Sequence, residues 1–325
     1  MQRGGIARII IEAAETWVGH MRGGLGLVAV IATTLFAAIS GSSVVTAMAM
    51  GTFLIPAMVA RGYDRPFALG LVGASGTLGI LIPPSLSMIL YGLIAEESVP
   101  RLFMAGVIPG LMQACLLAAW VMFYSRRKGY ASGRKATRDE FIKKNLYALP
   151  AVFIPLSVFA GIYSGYTTVT ESAGVAAIAS VLIAVFVYKE VKLGEIFGMA
   201  TEGMKSASAV TFIVMFALLF AHWITGSGIP TALVDFAIEM ELEKWQFLLA
   251  LNVVMIILGM FLDAVAVMLI VTPIILPVLH TLGIDPVHFG IVLIVNMEIA
   301  FLTPPIGLNL FVLSSIARAP MSEAV

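Results

Sequence analysis

The sequence predicts an all-α polytopic membrane protein with inverted structural repeats, two re-entrant helical hairpins and two helices broken at Pro-Pro pairs. Three observations support this fold class: the composition is apolar, short apolar segments occur as closely spaced pairs, and punctuating residues match between the two halves. Of the 325 residues, 60% are hydrophobic and 12% are charged, and the mean hydropathy is +1.02. Soluble domains carry about 25% charged residues, so this composition suits a lipid environment.

The same composition argues against several function classes. The formal net charge is zero, which gives no electrostatic case for binding nucleic acid. One cysteine cannot build a disulfide framework or a cysteine-based metal site. The chain contains no phosphate-binding loop motif and no pair of acids spaced for acid–base catalysis, so we expect no enzymatic activity.

Two pairs of apolar segments are too short and too close together to be ordinary spans. A straight crossing needs about 20 apolar residues, whereas 24–40 and 44–60 are shorter and are separated by almost nothing. Such a pair is better explained as a hairpin that enters and leaves on the same side. The predicted first repeat, residues 1–125, contains the hairpin 24–60, the broken helix 67–92 and the helix 102–124.

The second half of the chain has the same order of elements. Residues 126–205 are predicted to form a basic cytoplasmic loop and connecting or scaffold helices. The predicted second repeat, residues 206–325, contains the helix 206–224, the hairpin 247–280 and the broken helix 288–316. A counterpart of helix 102–124 would begin near residue 323, so we expect the chain to lack this C-terminal helix and native residues at both ends.

The broken helices are defined by two proline pairs in the middle of long apolar segments. Pro83-Pro84 and Pro304-Pro305 each remove two backbone donors and clash with the preceding turn. In hydrocarbon, the freed carbonyl groups need partners, so such breaks are expected to line a site enclosed by protein.

The internal repeat emerges when the sequence is shifted against itself by 221 residues. Five punctuating residues then coincide without a gap: Pro56 with Pro277, Gly62 with Gly283, Asp64 with Asp285, Pro83 with Pro304, and Pro84 with Pro305. The alternative is a chance match of residues that punctuate membrane helices. Five predicted crossings separate the two hairpins, and because five is odd, the second copy is inverted. Inverted repeats with broken helices are typical of secondary transporters.

The distribution of basic residues predicts the orientation. The stretch 125–146 contains eight Lys and Arg, which the positive-inside rule assigns to the cytoplasm. Propagating the crossings assigns 17 of the 19 Lys and Arg to that side, and only Arg101 and Lys244 fall outside. The first hairpin therefore enters from the cytoplasm and the second from outside.

Polar residues at the predicted hairpin tips are candidates for ion or substrate binding. Asp263 lies inside an apolar stretch, where an acid costs about 2.5–3.5 kcal/mol on insertion scales. It either contributes to a cation or substrate site or caps the second arm of its hairpin, and both roles can hold together. At the first tip, the candidates are Ser40, Ser42 and Ser43, which can cap a helix, bind substrate or allow close packing.

The broken helices supply the remaining candidates. A sodium site uses several neutral oxygens and at most one carboxylate, and unwound backbone can contribute carbonyl oxygens. Glu298 is either a proton or ion ligand or the packed partner of a polar neighbour. The alternative for the breaks themselves is a kink that serves only packing. The candidates around the breaks are Ser75, Gly76, Thr77, Asn296, Glu298, Thr303 and Asn309.

Several of these motifs resemble one known family. Ile39-Ser-Gly-Ser-Ser43, Gly76-Thr-Leu-Gly-Ile-Leu-Ile-Pro-Pro-Ser85, Gly259-Met-Phe-Leu-Asp263 and Leu302-Thr-Pro-Pro-Ile-Gly-Leu-Asn-Leu-Phe311 resemble the large membrane subunit of tripartite ATP-independent periplasmic (TRAP) transporters. The resemblance covers nearly the whole chain. It implies an elevator-type ion transporter of the bacterial inner membrane, a permease that imports an organic anion, commonly a carboxylate, by Na⁺ symport.

The resemblance also implies partners and site residues. A soluble periplasmic substrate-binding protein and a small four-helix membrane subunit would work with this chain in the lipid bilayer. Na⁺ would be the coupling ion, with no other cofactor. Ser40–Ser43 and Ser75–Thr77 would form one sodium site, and Asp263, Asn296 and Thr303 would form or adjoin another. Among these, the sodium ligands that the resemblance implies are Ser43, Thr77, Asp263 and Thr303.

Two departures from the family pattern leave alternatives open. A glycine usual before the second break is Ala300 here, which would tighten the site, and the usual Thr-Pro-Thr-Glu is Thr168-Val-Thr-Glu171. With the expected loss of terminal helices, a non-transporting truncated subunit is one alternative function. An anion channel is the other.

Overall fold

The structure is a computed structural model that describes residues 5–324, and within that range it is helical apart from turns and one isolated β-bridge between Arg22 and Ser132. Six of the described helices are long and apolar enough to cross a membrane, or seven spans if one bent helix pair counts as a single crossing. The prediction of an all-α polytopic membrane protein is therefore confirmed at this level.

The first part of the chain forms six helices. They are α1 (Ile6–Val18), α2 (Gly24–Ser40), α3 (Ser43–Ala60), α4 (Arg65–Leu81), α5 (Leu86–Ala95) and α6 (Val99–Lys128). Only Gly41 and Ser42 separate α2 from α3, in agreement with the predicted segment boundaries. The bend between α4 and α5 is 41° and falls at Pro83-Pro84. Both proline pairs, Pro83-Pro84 and Pro304-Pro305, contain a cis peptide bond.

The middle of the chain forms four helices with extensive exposed apolar surface. They are α7 (Arg138–Tyr163), α8 (Val169–Leu182), α9 (Ile196–Gly226) and α10 (Ile229–Glu239). A π-helical turn, Ile183–Val187, extends α8, and a short 3₁₀ turn, Leu193–Glu195, precedes α9. Capping boxes start α7 at Thr137 with Glu140 and α8 at Thr168 with Glu171.

The last part of the described chain forms five helices. Its helices are α11 (Lys244–Gly259), α12 (Ala264–Leu282), α13 (Pro286–Phe301), α14 (Leu308–Ala317) and the short α15 (Met321–Ala324). The break between α13 and α14 spans residues 302–307 and contains Pro304-Pro305.

Three features differ from the sequence prediction. The basic stretch 125–146 was expected to be a loop, but α6 ends at Lys128 and α7 begins at Arg138, so only residues 129–137 lie outside helices. The capping box of Thr137 and Glu140 explains why α7 begins so early. Helices α1 and α10 were not predicted. In α1, an apolar face that includes Ile6, Ile10 and Ala14 is buried against α2 and α7.

Two hydrophobic cores hold the helices together, and each one joins the two halves of the chain. The first core is built mainly from α1 to α4 and includes Leu310 and Leu313 of α14. The second is built mainly from α12 and α13 and includes Met88, Leu90 and Tyr91 of α5. The end of each broken helix thus packs into the core of the other half.

Candidate functional site

The turn between α2 and α3, which we call the first tip (Gly41–Ser42), lies directly against the proline break of α4 and α5. The Leu86 amide donates to the Gly41 carbonyl oxygen across 3.2 Å. Gly41 has a φ of 62°, and a Cβ on it would lie 2.8 Å from the Pro84 carbonyl oxygen. Only glycine accommodates both the backbone conformation and the close approach.

The start of α3 is packed closely against α4 because α4 presents glycines. A Cβ on Gly76 would lie 2.8 Å from the Ala47 Cβ, and a Cβ on Gly79 would collide with the Ser42 carbonyl oxygen. This packing buries Ser43 and Thr46 at the end of α3 next to the tip. Thr46 donates to the Ser42 carbonyl oxygen (2.8 Å) and shares a hydrogen bond with Ser40.

A fully buried polar contact joins the first tip to α14. The Asn309 Nδ2 donates to the Ser43 Oγ at 2.7 Å and to the Gly73 carbonyl oxygen at 3.4 Å. Two further oxygens of these helices are buried without a hydrogen-bond partner, namely the Asn309 Oδ1 on α14 and the Ser75 Oγ on α4. A buried acceptor that lacks a donor costs about 1–3 kcal/mol, so such atoms point to an additional ligand.

A second polar group lies where α4, α6 and α13 meet. The Gln113 Nε2 donates to the Thr77 Oγ1 at 3.1 Å, and Thr77 itself donates to the Ala74 carbonyl oxygen at 2.8 Å. Glu298 lines the same cavity of about 240 Å³, is only 3% exposed, and leaves its Oε1 without a hydrogen-bond partner. Thr77 and Glu298, which the predicted repeat aligns with each other, thus line one cavity.

The turn between α11 and α12, which we call the second tip (Met260–Asp263), is open. Phe261, Leu262 and Asp263 are exposed. The Asp263 Oδ2 accepts from the Val265 amide at 3.2 Å, which is the helix-cap geometry that the sequence left as one alternative. Thr303 donates to the Ile299 carbonyl oxygen of its own helix (2.7 Å), and Pro304 and Pro305 are exposed.

The residues expected at a second sodium site are not in direct hydrogen-bond contact. Asn296 instead donates to the Asn252 Oδ1 of α11 and to the Val292 carbonyl oxygen, both at 2.7 Å. Within residues 5–324, no hydrogen bond joins Asp263, Asn296 and Thr303 to one another. The sodium role of these residues therefore stays a prediction.

Three polar residues of the site were missed in the sequence: Thr46, Gln113 and Asn252. Gln113 and Asn252 are lone amides inside apolar helices, and a polar residue at membrane depth is itself a signal of function. Thr46 lies one helical turn after Ser42, so its position on α3 could have been predicted from helical spacing.

The comparisons with known proteins decide the family. A family model for the DctM component of tripartite ATP-independent periplasmic transporters matches residues 1–325. The chain belongs to this family. It is a large permease subunit of the inner membrane that works with a binding protein, and it is a transporter subunit rather than an enzyme.

Individual members of the DctM family are similar in sequence to this chain along nearly its whole length. The C4-dicarboxylate TRAP transporter large permease protein of Pseudomonas aeruginosa is 42% identical over 325 residues, which is 100% of this chain and 76% of that protein. The isethionate TRAP transporter permease protein of Oleidesulfovibrio alaskensis is 37% identical, and the alignment covers 99% of this chain and 51% of that protein. The sialic acid TRAP transporter permease protein of Haemophilus influenzae is 36% identical, and the alignment covers 99% of this chain and 52% of that protein.

Proposed function

We propose that this DctM-family chain imports an organic anion, a carboxylate, by Na⁺ symport, together with a periplasmic binding protein and a small four-helix membrane subunit. The relatives are named for C4-dicarboxylates, sialic acid and isethionate, all of which are anionic at neutral pH; the first two are carboxylates and the third is a sulfonate. The identity of a DctM-type subunit supports both partners, because the family name describes a tripartite system with a periplasmic component.

The observation that supports a sodium site most strongly is the buried contact between Ser43 and Asn309. Na⁺ is a hard cation that binds oxygen, and sites of this kind favour neutral hydroxyl, amide and backbone oxygens. Ser43, Ser75 and Asn309 supply such oxygens, and two of these oxygens have no hydrogen-bond partner in the structure. We assign this cluster, which we call the first cluster, as the proposed sodium site.

The proposed substrate region is the space beside the second tip. Asp263 is exposed at this tip, and Thr303 lies beside the exposed Pro304-Pro305 pair in the break that precedes α14. The N-terminal ends of α5 and α14 follow the two breaks, and helix N-termini carry positive partial charge that suits an anion. Asp263 would bind a cation that enters with the substrate, because a carboxylate without a bound cation would repel an anionic ligand.

The packing of the helices supports the proposed inverted repeat. The second half of the first broken helix, α5, packs against α12, and its counterpart α14 packs against α3. The Tyr91 hydroxyl of α5 donates to the Pro286 carbonyl oxygen at the start of α13 (2.6 Å). In the other half, Arg65 at the start of α4 donates to the Ala317 carbonyl oxygen at the end of α14. Arg65 and Pro286 are themselves separated by 221 residues.

The experiment that tests this function is uptake into proteoliposomes containing the chain, its small subunit and its binding protein. We expect labelled C4-dicarboxylate to accumulate when Na⁺ is supplied outside, and not when choline replaces it. Ser43→Ala should raise the Na⁺ concentration that gives half-maximal uptake. Ser180→Ala is the matched control, because Ser180 is also buried but bonds only within α8. Uptake that proceeds equally in choline would overturn the Na⁺ assignment.

A further inference from the structure

A cavity of about 470 Å³ with five charged lining residues lies at the predicted cytoplasmic end of the molecule, and none of its lining residues belongs to the proposed transport site. Five parts of the chain form its walls: α1, the segment from Gly19 to the first turn of α2, the turn between α3 and α4, the loop 129–137 and the first turns of α7. Its charged lining residues are Glu15, Arg61, Arg134, Glu140 and Lys144.

The basic groups in this cavity keep free hydrogen-bond donors. Arg61 contacts Glu15 through one nitrogen at 2.6 Å, and Arg134 contacts Glu140 through one nitrogen at 2.5 Å. A guanidinium has five N–H donors, so each arginine can bind a further anion. Lys144 is half-buried and forms no ion pair within residues 5–324. Three cations against two carboxylates leave the lining with a net positive charge.

The surrounding charge strengthens this preference for anions. The stretch 125–146 contains eight Lys and Arg against Asp139 and Glu140, a difference of eight minus two, or six positive charges. A cleft within such a field concentrates anions. Clusters of about 4–8 basic residues at the cytoplasmic end of a membrane helix are typical of binding to anionic lipid headgroups.

A second cavity favours a lipid over a free anion. It has a volume of about 420 Å³, follows the groove between α1 and α7, and shares Glu140 and Lys144 with the first cavity. Ile9 and Tyr147 give it an apolar wall, and Glu12 and Lys143 complete its lining. Lys144 therefore lies between a charged chamber and a partly apolar one, which is the arrangement that an amphiphile requires.

We propose that these two cavities bind an anionic phospholipid of the inner leaflet. Its phosphate lies against Lys144, Arg61 and Arg134, and its glycerol end follows Ile9 and Tyr147. Arg61 directly follows α3, whereas Lys144 belongs to α7. The bound headgroup thus links the base of the first helical pair to α7 and stabilises the packing of α1 between them. This site is independent of the proposed transport function and requires only the cytoplasmic orientation of these residues.

The test is thermal unfolding of the purified complex of this chain with its small subunit, in detergent, titrated with phosphatidylglycerol, phosphatidylcholine or inorganic phosphate. We expect phosphatidylglycerol to raise the unfolding temperature and the other two to leave it unchanged. Lys144→Gln should weaken the phosphatidylglycerol effect about fivefold, the contribution of one basic residue near an anionic membrane surface. Arg127→Gln is the control, since Arg127 is exposed in the same basic stretch but lines neither cavity.

Each other outcome would overturn the proposal. If Lys144→Gln and Arg127→Gln weaken the phosphatidylglycerol effect equally, the lipid responds to the general surface charge of the basic stretch and not to these cavities. An unchanged response in Lys144→Gln would exclude these cavities. A shift with inorganic phosphate equal to that with phosphatidylglycerol would assign the pocket to a free anion instead of a lipid.

Discussion

The first unit of the molecule (α2 to α5) and the second unit (α11 to α14) share their helix order and their proline breaks, but only the first has a closed tip. Gly41 of the first tip is hydrogen-bonded to the backbone after Pro83-Pro84. The second tip is exposed and, within residues 5–324, makes no backbone hydrogen bond to residues 302–307.

Glycine placement explains this difference. Gly41 and Gly79 leave room for the close approach of the first tip, whereas the residues 221 positions later are Leu262 and Ala300. In the second unit the small residue is Gly259 of α11, where a Cβ would lie 2.7 Å from the Ala300 Cβ. The second unit therefore packs α11 closely onto α13, and the tip that follows forms no backbone hydrogen bond with the break within the described residues.

The comparison assigns different tasks to the two units. A closed tip excludes water and holds neutral oxygens such as those of Ser43 and Asn309 in fixed positions, which suits a small cation. An open tip leaves the carboxylate of Asp263 accessible, which suits a ligand that must enter and leave. The following predictions test this division.

The largest effect is expected when the first tip is forced open. Gly41→Ala adds a Cβ that meets the Pro84 carbonyl oxygen and strains a positive φ, and we expect Na⁺-driven uptake to be lost. Gly62→Ala is the control, because Gly62 has a φ of 82° but no neighbour within 4 Å. Both variants should lose about 1–2 kcal/mol from the left-handed conformation, and Gly41→Ala about 1–3 kcal/mol more from overpacking. Equal unfolding temperatures would contradict the closed-tip account.

At the second tip, the charge and the cap of Asp263 can be separated. Asparagine caps helices about as well as aspartate, so Asp263→Asn should keep the stability of the chain while reducing uptake strongly. Asp263→Ala should reduce uptake to the same degree and also destabilise the chain by about 1 kcal/mol. Uptake assays and unfolding curves measure the two effects. Full uptake by Asp263→Asn would leave this residue with only its capping role.

A smaller effect is expected for the bond between Gln113 and Thr77, which joins α6 to the first unit. Gln113→Met keeps the length of the side chain but removes the amide, so Thr77 and Glu298 lose a polar neighbour. We expect a few-fold increase in the Na⁺ concentration for half-maximal uptake, equivalent to about 1 kcal/mol. Met112→Leu, in the same cavity wall, should behave as wild type. If both variants have the same Na⁺ dependence, Gln113 has no part in ion binding.

The smallest effect is expected at Asp64, which precedes α4 in the turn between α3 and α4, outside the predicted membrane-spanning segments. Hydrogen bonds from Lys128 and Tyr130 lower the pKa of Asp64 below its ordinary value. The stabilisation is therefore present above the ordinary aspartate pKa and is lost as the pH falls through the lowered value. Asp64→Asn should have a slightly lower unfolding temperature than wild type near neutral pH, and this difference should vanish in acid. If the difference in unfolding temperature between wild type and Asp64→Asn grew as the pH fell, the ionised carboxylate of Asp64 would not be the stabilising form.

Local sequence patterns predict much of the fold. The boundaries of α2 and α3 follow from the glycines and serines between two apolar runs, and the proline pairs end α4 and α13 as expected. The end of the basic stretch was misjudged, because a charged helix terminus and a loop have the same composition. Helix α1 is short and amphipathic, and it was missed because its apolar face is buried only by the packing of α2 and α7 against it.

The site was only partly predictable because it depends on which distant residues meet. Ser43 and Asn309 were both candidates, yet their contact across 266 residues follows from the packing of α14 on α3. Gln113 is a single amide whose partner lies 36 residues away, and no spacing rule connects them. The open second tip depends on the Cβ atoms of Leu262 and Ala300, whose effect appears only once the two helices are brought together.

The most direct test of the first unit as a cation site is a Na⁺ titration of thermal unfolding for the purified complex of this chain with its small subunit. A ligand that binds only the folded state raises stability in proportion to the logarithm of its concentration once the site fills. We expect wild type and Asp263→Asn to be stabilised by Na⁺ relative to choline, and Asn309→Leu to lose the stabilisation that the first cluster contributes. A Na⁺ response in Asn309→Leu identical to that of wild type would contradict the account.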